Sequence, residues 1–448
     1  MCVKRPHHGQ GLESFPLELL WKVAAWIPDS TTFFSLLEAL GSSSGRGPFE
    51  PLWQIGMTWQ PQWRSRLWPQ LGLSQNLIQD DVNRAYVEAS LAHCPSALIN
   101  FVWDNDIEWL VRHVRPPIAL EWDANLPSTP SDARGNGVEI PLEEWYAKWA
   151  QLPITTLVRR SMCSIVREHI VEVLPQCRYL TTVTFHDAFP LASLFKFAAS
   201  SGTLVHLTTS YATASSADLE DAIRWLASTP VQSFRCTNWT FDAECATAIE
   251  FVTAILQHPT MSLLLFSSST NLNVDELPLL QPTRLRDLHL GQVSSCLRSL
   301  ASAISHSSLE RLLISNGHNV TASDEYVCAM VEVLKAAGLC KHLKILELPG
   351  PVLQLITVEE LSLSMNGIGG NVDGVLWVGR AIHVSTAIQT VDLTLNDITK
   401  EGVMTLLKQI GDRRASPLTI SLKSTRIVKA NRAYLIRKAR EKGIQLTI

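Results

Sequence analysis

Two stretches near the C-terminus decide the fold: Val358-Glu-Glu-Leu361-Ser-Leu363-Ser-Met-Asn366-Gly-Ile368 and Ile388-Gln-Thr-Val391-Asp-Leu393-Thr-Leu-Asn396-Asp-Ile398. Both spell an apolar residue at positions 1, 4, 6 and 11, with Asn at position 9. Side chains of a strand alternate between two faces, so positions 4 and 6 share one face and positions 3, 5 and 7 the other. A third copy of the strand part reads Leu285-Arg-Asp-Leu288-His-Leu290. Each stretch is followed by residues with apolar spacing of three and four, the signature of an amphipathic helix.

Working outward, weaker copies start at Ile154, Leu180, Leu204, Val231, Met261, Leu309, Leu343 and Pro417, and a stub ends at Leu446-Thr-Ile448. Most intervals fall near the period of about 20 to 29 residues typical of leucine-rich repeats. The exception is Leu343 to Val358, where Pro349, Gly350 and Pro351 leave room for either a unit without its helix or a misplaced start. Helical spacing is expected between strands at Ala222 to Leu226, Ala246 to Leu256, Tyr326 to Leu334 and Glu401 to Ile410, and the basic stretch from Asn431 to Lys442 reads as a polar capping helix. The pattern resembles leucine-rich repeats of the ribonuclease-inhibitor type. That resemblance implies an α/β fold over residues 153–448, a horseshoe with parallel strands inside and helices outside.

Residues 12–70 are built differently. In Leu12-Glu-Ser-Phe15-Pro16-Leu17-Glu18-Leu19-Leu20-Trp21-Lys-Val23-Ala-Ala-Trp26-Ile27-Pro28, Pro16 is placed to open a helix and Pro28 to end it. Asp29 or Ser30 then caps a second helix through Phe33, Phe34, Leu36, Leu37 and Leu40. A loop is expected over Gly41 to Pro48, followed by Leu52-Trp53. The order of Phe15-Pro16, helix, Ile27-Pro28, helix and trailing Trp resembles the F-box, a small helical module that docks on the Skp-type adaptor of cullin-RING ubiquitin ligases. Phe15 stands where that module usually has Leu, and the glycine-serine loop interrupts the usual third helix. The resemblance implies adaptor contacts from Phe15, Pro16, Leu19, Leu20, Ile27, Leu36, Leu37 and Trp53. The alternative is a helical cap that only shields the open end of the repeat core.

Between these parts, residues 71–152 read as a Trp-rich transition, with an exposed loop over 123–141. Eleven of the 14 Trp fall at or before Trp149. The pairs Trp103-Asp104 and Trp122-Asp123 lack the periodicity of propeller blades and read as packing residues. Leu120-Glu-Trp122 is spelled like a degenerate repeat strand.

Of the 448 residues, 46% are hydrophobic and 18% charged, which excludes a disordered polyelectrolyte. Lys and Arg total 38 against 42 Asp and Glu, a net charge of -4, so no global field draws in nucleic acid or an anionic membrane. No stretch has the length of apolar residues that a signal peptide or membrane span needs. Nine Cys without a C-x-x-C pair point to reduced thiols and a cytoplasmic or nuclear setting. Nucleotide, hydrolase and metalloprotease motifs are absent. The cluster Gly367 to Gly374 fits a strand-to-helix turn, and the 13 His show no ligand spacing. No catalytic set, metal or cofactor is therefore expected.

Function is sought on a surface instead. The outward strand positions give partner-binding candidates His186, His206, Arg235, His289, Arg311, Glu360 and Asp392 on the expected concave face, among mostly Ser and Thr. The expected role is protein–protein interaction, as the substrate-recognition subunit of an SCF-type ubiquitin ligase and a monomer within a hetero-complex. The alternative is a non-catalytic scaffold unrelated to ubiquitin. A GTPase-activating role would need an exposed Arg, for which Arg159 and Arg160 are the candidates.

Overall fold

The computed structural model describes residues 16–59, 61–78, 80–100, 106–242, 245–267, 284–291, 301, 307–315, 345–347, 360–363, 372–384, 388–411 and 417–448. The chain divides into two compact units, Met1–Asp187 and Ala188–Ile448.

The first unit opens with α1 (Leu17–Ala25), α2 (Ser30–Ala39), α3 (Ser43–Arg46) and α4 (Glu50–Thr58). Asp29 caps α2 by accepting from the Thr32 N–H. The expected loop at Gly41–Pro48 is helical instead: Ser42 accepts from the Gly45 N–H and starts α3, which a 3-10 turn joins to α4. A serine cap was available there to satisfy an orphan donor, so a glycine-serine composition did not prevent a helix.

Strand–helix units then follow: β1 (Gln70–Leu73), α5 (Gln75–Ile78), α6 (Asp81–Leu91), β2 (Ser96–Asn100), α7 (Ile107–His113), β3 (Ala119–Asp123), a hairpin of β4 (Arg134–Gly135) and β5 (Val138–Glu139), α8 (Leu142–Trp149), β6 (Ile154–Arg159), α9 (Ser164–Val173) and β7 (Thr182–Phe185). β1, β2, β3, β6 and β7 pair in that order, all parallel. The repeat sheet therefore begins near residue 70 rather than 153, and the region expected to be transitional supplies three of its strands. Inward alternation drives them: Leu71 and Leu73, Ala97 and Ile99, Leu120 and Trp122 are all buried. The segment 123–141, expected as an exposed loop, is tied down by its hairpin. The Asn136 N–H donates to Asp106 Oδ1 (3.1 Å), and Arg112 reaches Asn136 Oδ1 (3.2 Å). Below it Trp122, Trp145 and Trp149 meet edge to face, the arrangement favoured by ring quadrupoles.

The second unit repeats the motif with β8 (His206–Ser210), β9 (Thr213–Ser215), β10 (Ser233–Thr237), β11 (Thr240–Asp242), β12 (Leu263–Ser267), β13 (Asp287–Gly291), β14 (Arg311–Ser315), β15 (Ile345–Glu347), β16 (Glu360–Ser362), β17 (Thr390–Asp392), β18 (Leu418–Ser421) and β19 (Ile444–Thr447). β9 pairs with β11, and the others run in parallel, each beside the next in sequence. Both starts around Leu343 and Val358 are real, since β15 and β16 are adjacent. The register aligns Leu207, Phe234, Leu264, Leu288, Leu312, Leu346, Leu361, Val391, Ile420 and Leu446 into one row. A parallel sheet with leucines stacked in this way fits a repeat solenoid, in which each unit buries an apolar face only against its neighbours.

The helices of this unit are α10 (Leu191–Ser201), α11 (Ser216–Ser228), α12 (Cys245–Leu256), α13 (Val372–Val384), α14 (Lys400–Ile410) and α15 (Lys429–Glu441). Gly374 lies within α13, not in a turn as expected, while Gly367 to Gly370 fall outside the described residues, as does the expected helix at Tyr326 to Leu334. No helix among the described residues is long and apolar enough to cross a membrane. Cys94, Cys177 and Cys236 are buried, and burial pushes the Cys94 and Cys177 thiols up to about 12; Cys163 is exposed.

Candidate functional surfaces

The N-terminal helices build a core from Phe33, Phe34, Leu37, Phe49, Leu52 and Ile55, all buried. Phe33 stacks on Trp68 at 4.0 Å, and the Trp68 indole N–H donates to Ile27 O at 2.9 Å. Buried Arg46 joins the pieces. Its Nε donates to Leu37 O (2.8 Å) and its Nη2 to Gly41 O (3.1 Å), satisfying carbonyls at the end of α2, while Nη1 pairs with Glu50 (2.8 Å). The guanidinium lies 4.2 Å from the Trp53 ring.

Against this core, α1 carries apolar side chains on two faces. Leu20 and Ala24 point inward and are buried. Leu19, Val23 and Trp26, spaced by four and three, share the other face and are 47%, 39% and 87% exposed. A helix of a free-standing domain normally turns such a stripe inward.

The residues expected to contact an adaptor thus separate. Leu20 and Leu37 are buried in the module's own core, and Ile27, Leu36 and Trp53 are half-buried. Pro16 and Leu19 are exposed, and Phe15 lies outside the described residues. Val23 and Trp26 complete the exposed face and were not among the expected contacts. Their signal was an apolar arc on α1 too wide for one buried stripe.

In the second unit the outward side chains form two rows on the sheet. One runs His206, Ser233, Leu263, Asp287, Arg311, Glu360, Thr390 and Thr419; the other runs Thr208, Arg235, Leu265, His289, Leu313, Ser362, Asp392 and Ser421. Six of the expected partner-binding residues stand in these rows. His206 Nδ1 is 3.0 Å from Ser233 Oγ, and burial lowers its pKa. Burial and then nearby Arg235 hold His289 below the ordinary imidazole range. Arg235, Arg311 and Glu360 are exposed, with Arg311 Nε 3.8 Å from Asp287. Half-buried Asp392 accepts from the Thr394 N–H at 2.9 Å. His186 belongs to the first unit, where it is exposed just past β7.

Arg159 does not meet the requirement of an exposed catalytic arginine. It sits at an inward strand position, 4% exposed, donating to the carbonyls of Ala124 and Ser161. Arg160 is exposed and pairs with Asp123 at 3.1 Å.

No family model and no curated protein matches the sequence. Among solved structures the chain is similar to the crystal structure of a TLR13–ssRNA13 complex, at 12% identity and a TM-score of 0.32, over 80% of this chain and 53% of that one. The chain thus spans about half the length of that structure.

Proposed function

We propose that this protein is a non-catalytic interaction scaffold that joins a protein target to a Skp-type adaptor of a cullin-RING ubiquitin ligase. The N-terminal helices dock the adaptor, and the outward sheet face holds the target. Other subunits carry out ubiquitin transfer, and this chain supplies proximity, which raises the effective concentration of a target lysine near the ubiquitin carrier. The observation that carries the reading is the exposed stripe Leu19, Val23 and Trp26 on a module whose core is already complete without it. Apolar area of this kind marks a docking surface, and exposed Trp is the side chain that most often anchors one.

The test is co-purification of the full chain with a Skp-type adaptor, comparing the parent with a Leu19→Asp/Trp26→Ala double variant. These side chains leave the core intact, whereas substituting Leu20 would unfold the module. Capture by the parent and loss in the variant is the expected result. No capture by the parent rejects the ligase reading.

A specific observation favours a second reading, in which the helices only cap the repeat core. Phe49 packs against Trp68 and His93, at 5.7 and 6.4 Å, so the module's core runs into the first strand–helix unit. A failed capture together with a large loss of stability on deleting residues 16–59 would leave this reading standing.

A further inference from the structure

We propose that the outward sheet face across β10, β12, β13 and β14 binds a peptide segment in which an apolar side chain is flanked by carboxylates. This rests on the scaffold reading above and adds the chemistry of the target. β12 carries the first observation. Its residues Leu263-Leu-Leu-Phe266 are apolar on both faces: Leu264 and Phe266 fill the core, and Leu263 and Leu265 stand on the opposite, outward face. In register two strands on, Leu313 is also outward. All three are half-buried rather than covered. Elsewhere the outward rows hold mainly Ser, Thr and charged residues, which suit solvent. Three leucines at this point expose an apolar floor that water wets at a cost of about 25 cal/mol per Å².

Charge around that floor gives the second observation. Arg235 lies beside Leu265 on the neighbouring strand, exposed and without an ion pair among the described residues. Arg311 lies next to Leu313's row and is shared with Asp287 at 3.8 Å. His206 and His289 complete the surroundings at this end, while exposed Glu360 lies two strands beyond β14, on β16. A carboxylate of the ligand pairs with the Arg235 fork through two parallel hydrogen bonds, and its apolar neighbour covers Leu263 and Leu265.

A polyanion such as RNA is disfavoured by the same arrangement. Leucines offer nothing to a phosphate chain, Asp287 offsets Arg311, and exposed Glu360 repels any anion long enough to continue along the sheet. A peptide of a few residues stays within the basic and apolar part.

The test is selection of displayed random dodecapeptides on the full chain, followed by fluorescence-anisotropy titration of the enriched peptide. Enrichment of an apolar residue flanked by Asp or Glu is expected. Arg235→Glu and Leu265→Ser should each weaken the titrated peptide by about tenfold, with circular dichroism unchanged. The Leu19→Asp/Trp26→Ala variant should bind it as the parent does, so failure of the adaptor reading and failure of this one are told apart. Enrichment of basic or uncharged peptides, no enrichment, insensitivity to both sheet variants, or binding of a single-stranded RNA oligonucleotide lost in Arg235→Glu would each overturn the proposal.

Discussion

Single buried polar residues hold the turns that close the strand–helix units, and Asn396 is the clearest. Its side-chain amide is 2% exposed and donates from Nδ2 to Leu363 O at 2.7 Å, Leu393 O at 3.0 Å and Thr394 O at 3.3 Å. Leu363 belongs to the preceding unit, so one side chain ties two successive turns together. Replacing Asn396 by Ala leaves buried carbonyls without a donor, and a loss of about 3 kcal/mol is expected in denaturant unfolding. Asn396→Asp should cost at least as much, because a carboxylate has no N–H to give. Asn at the ninth repeat position was visible in the sequence as a repeated letter. Its partners were not, since they are backbone oxygens fixed only once the units stack. Arg159 is the opposite case: it is expected as an exposed arginine, but an inward strand position beside the Trp122 layer buries its guanidinium.

Elements show where alternation is a sufficient guide and where it is not. Strands with apolar residues at positions 4 and 6 were legible in most of the described sheet strands after residue 153, because only one face of such a strand can be buried. β1 and β2 were missed because Gln70-Leu-Gly-Leu73 and Ser96-Ala-Leu-Ile99 carry only two inward residues each, amid Trp-rich helices that dominate the local pattern. On α1, spacing alone assigns Leu20 and Ala24 to one side and Leu19, Val23 and Trp26 to the other. Packing of α2 on α4 yields a further prediction. Gly56 lies on α4 where a Cβ would overlap the Phe34 ring of α2. Gly56→Ala raises helix propensity by about 1 kcal/mol, yet the clash should outweigh it and destabilise the N-terminal module by about 1 to 3 kcal/mol. Loss of protection against hydrogen exchange in residues 30–58 would register this, whereas stabilisation would mean that the two helices separate freely.

At the scale of the whole molecule, the second unit is a stack in which each strand touches only its neighbours, so its stability is a sum of local terms and not one indivisible block. Ile420 tests this. It is fully buried in β18, between Val391 of β17 and Leu446 of β19 in the same row. Truncation to Ala removes three carbons from a packed layer and should cost about 3 kcal/mol. In a stack, that cost loosens the units that share the layer and leaves distant ones intact. Hydrogen exchange read by mass spectrometry in Ile420→Ala should therefore lose protection in β17 to β19, α14 and α15, with β8 and β10 unchanged. A uniform loss from residue 206 to 447 would instead show that the second unit unfolds as a single cooperative body, and that its sheet transmits a lesion at one end to the outward face at the other.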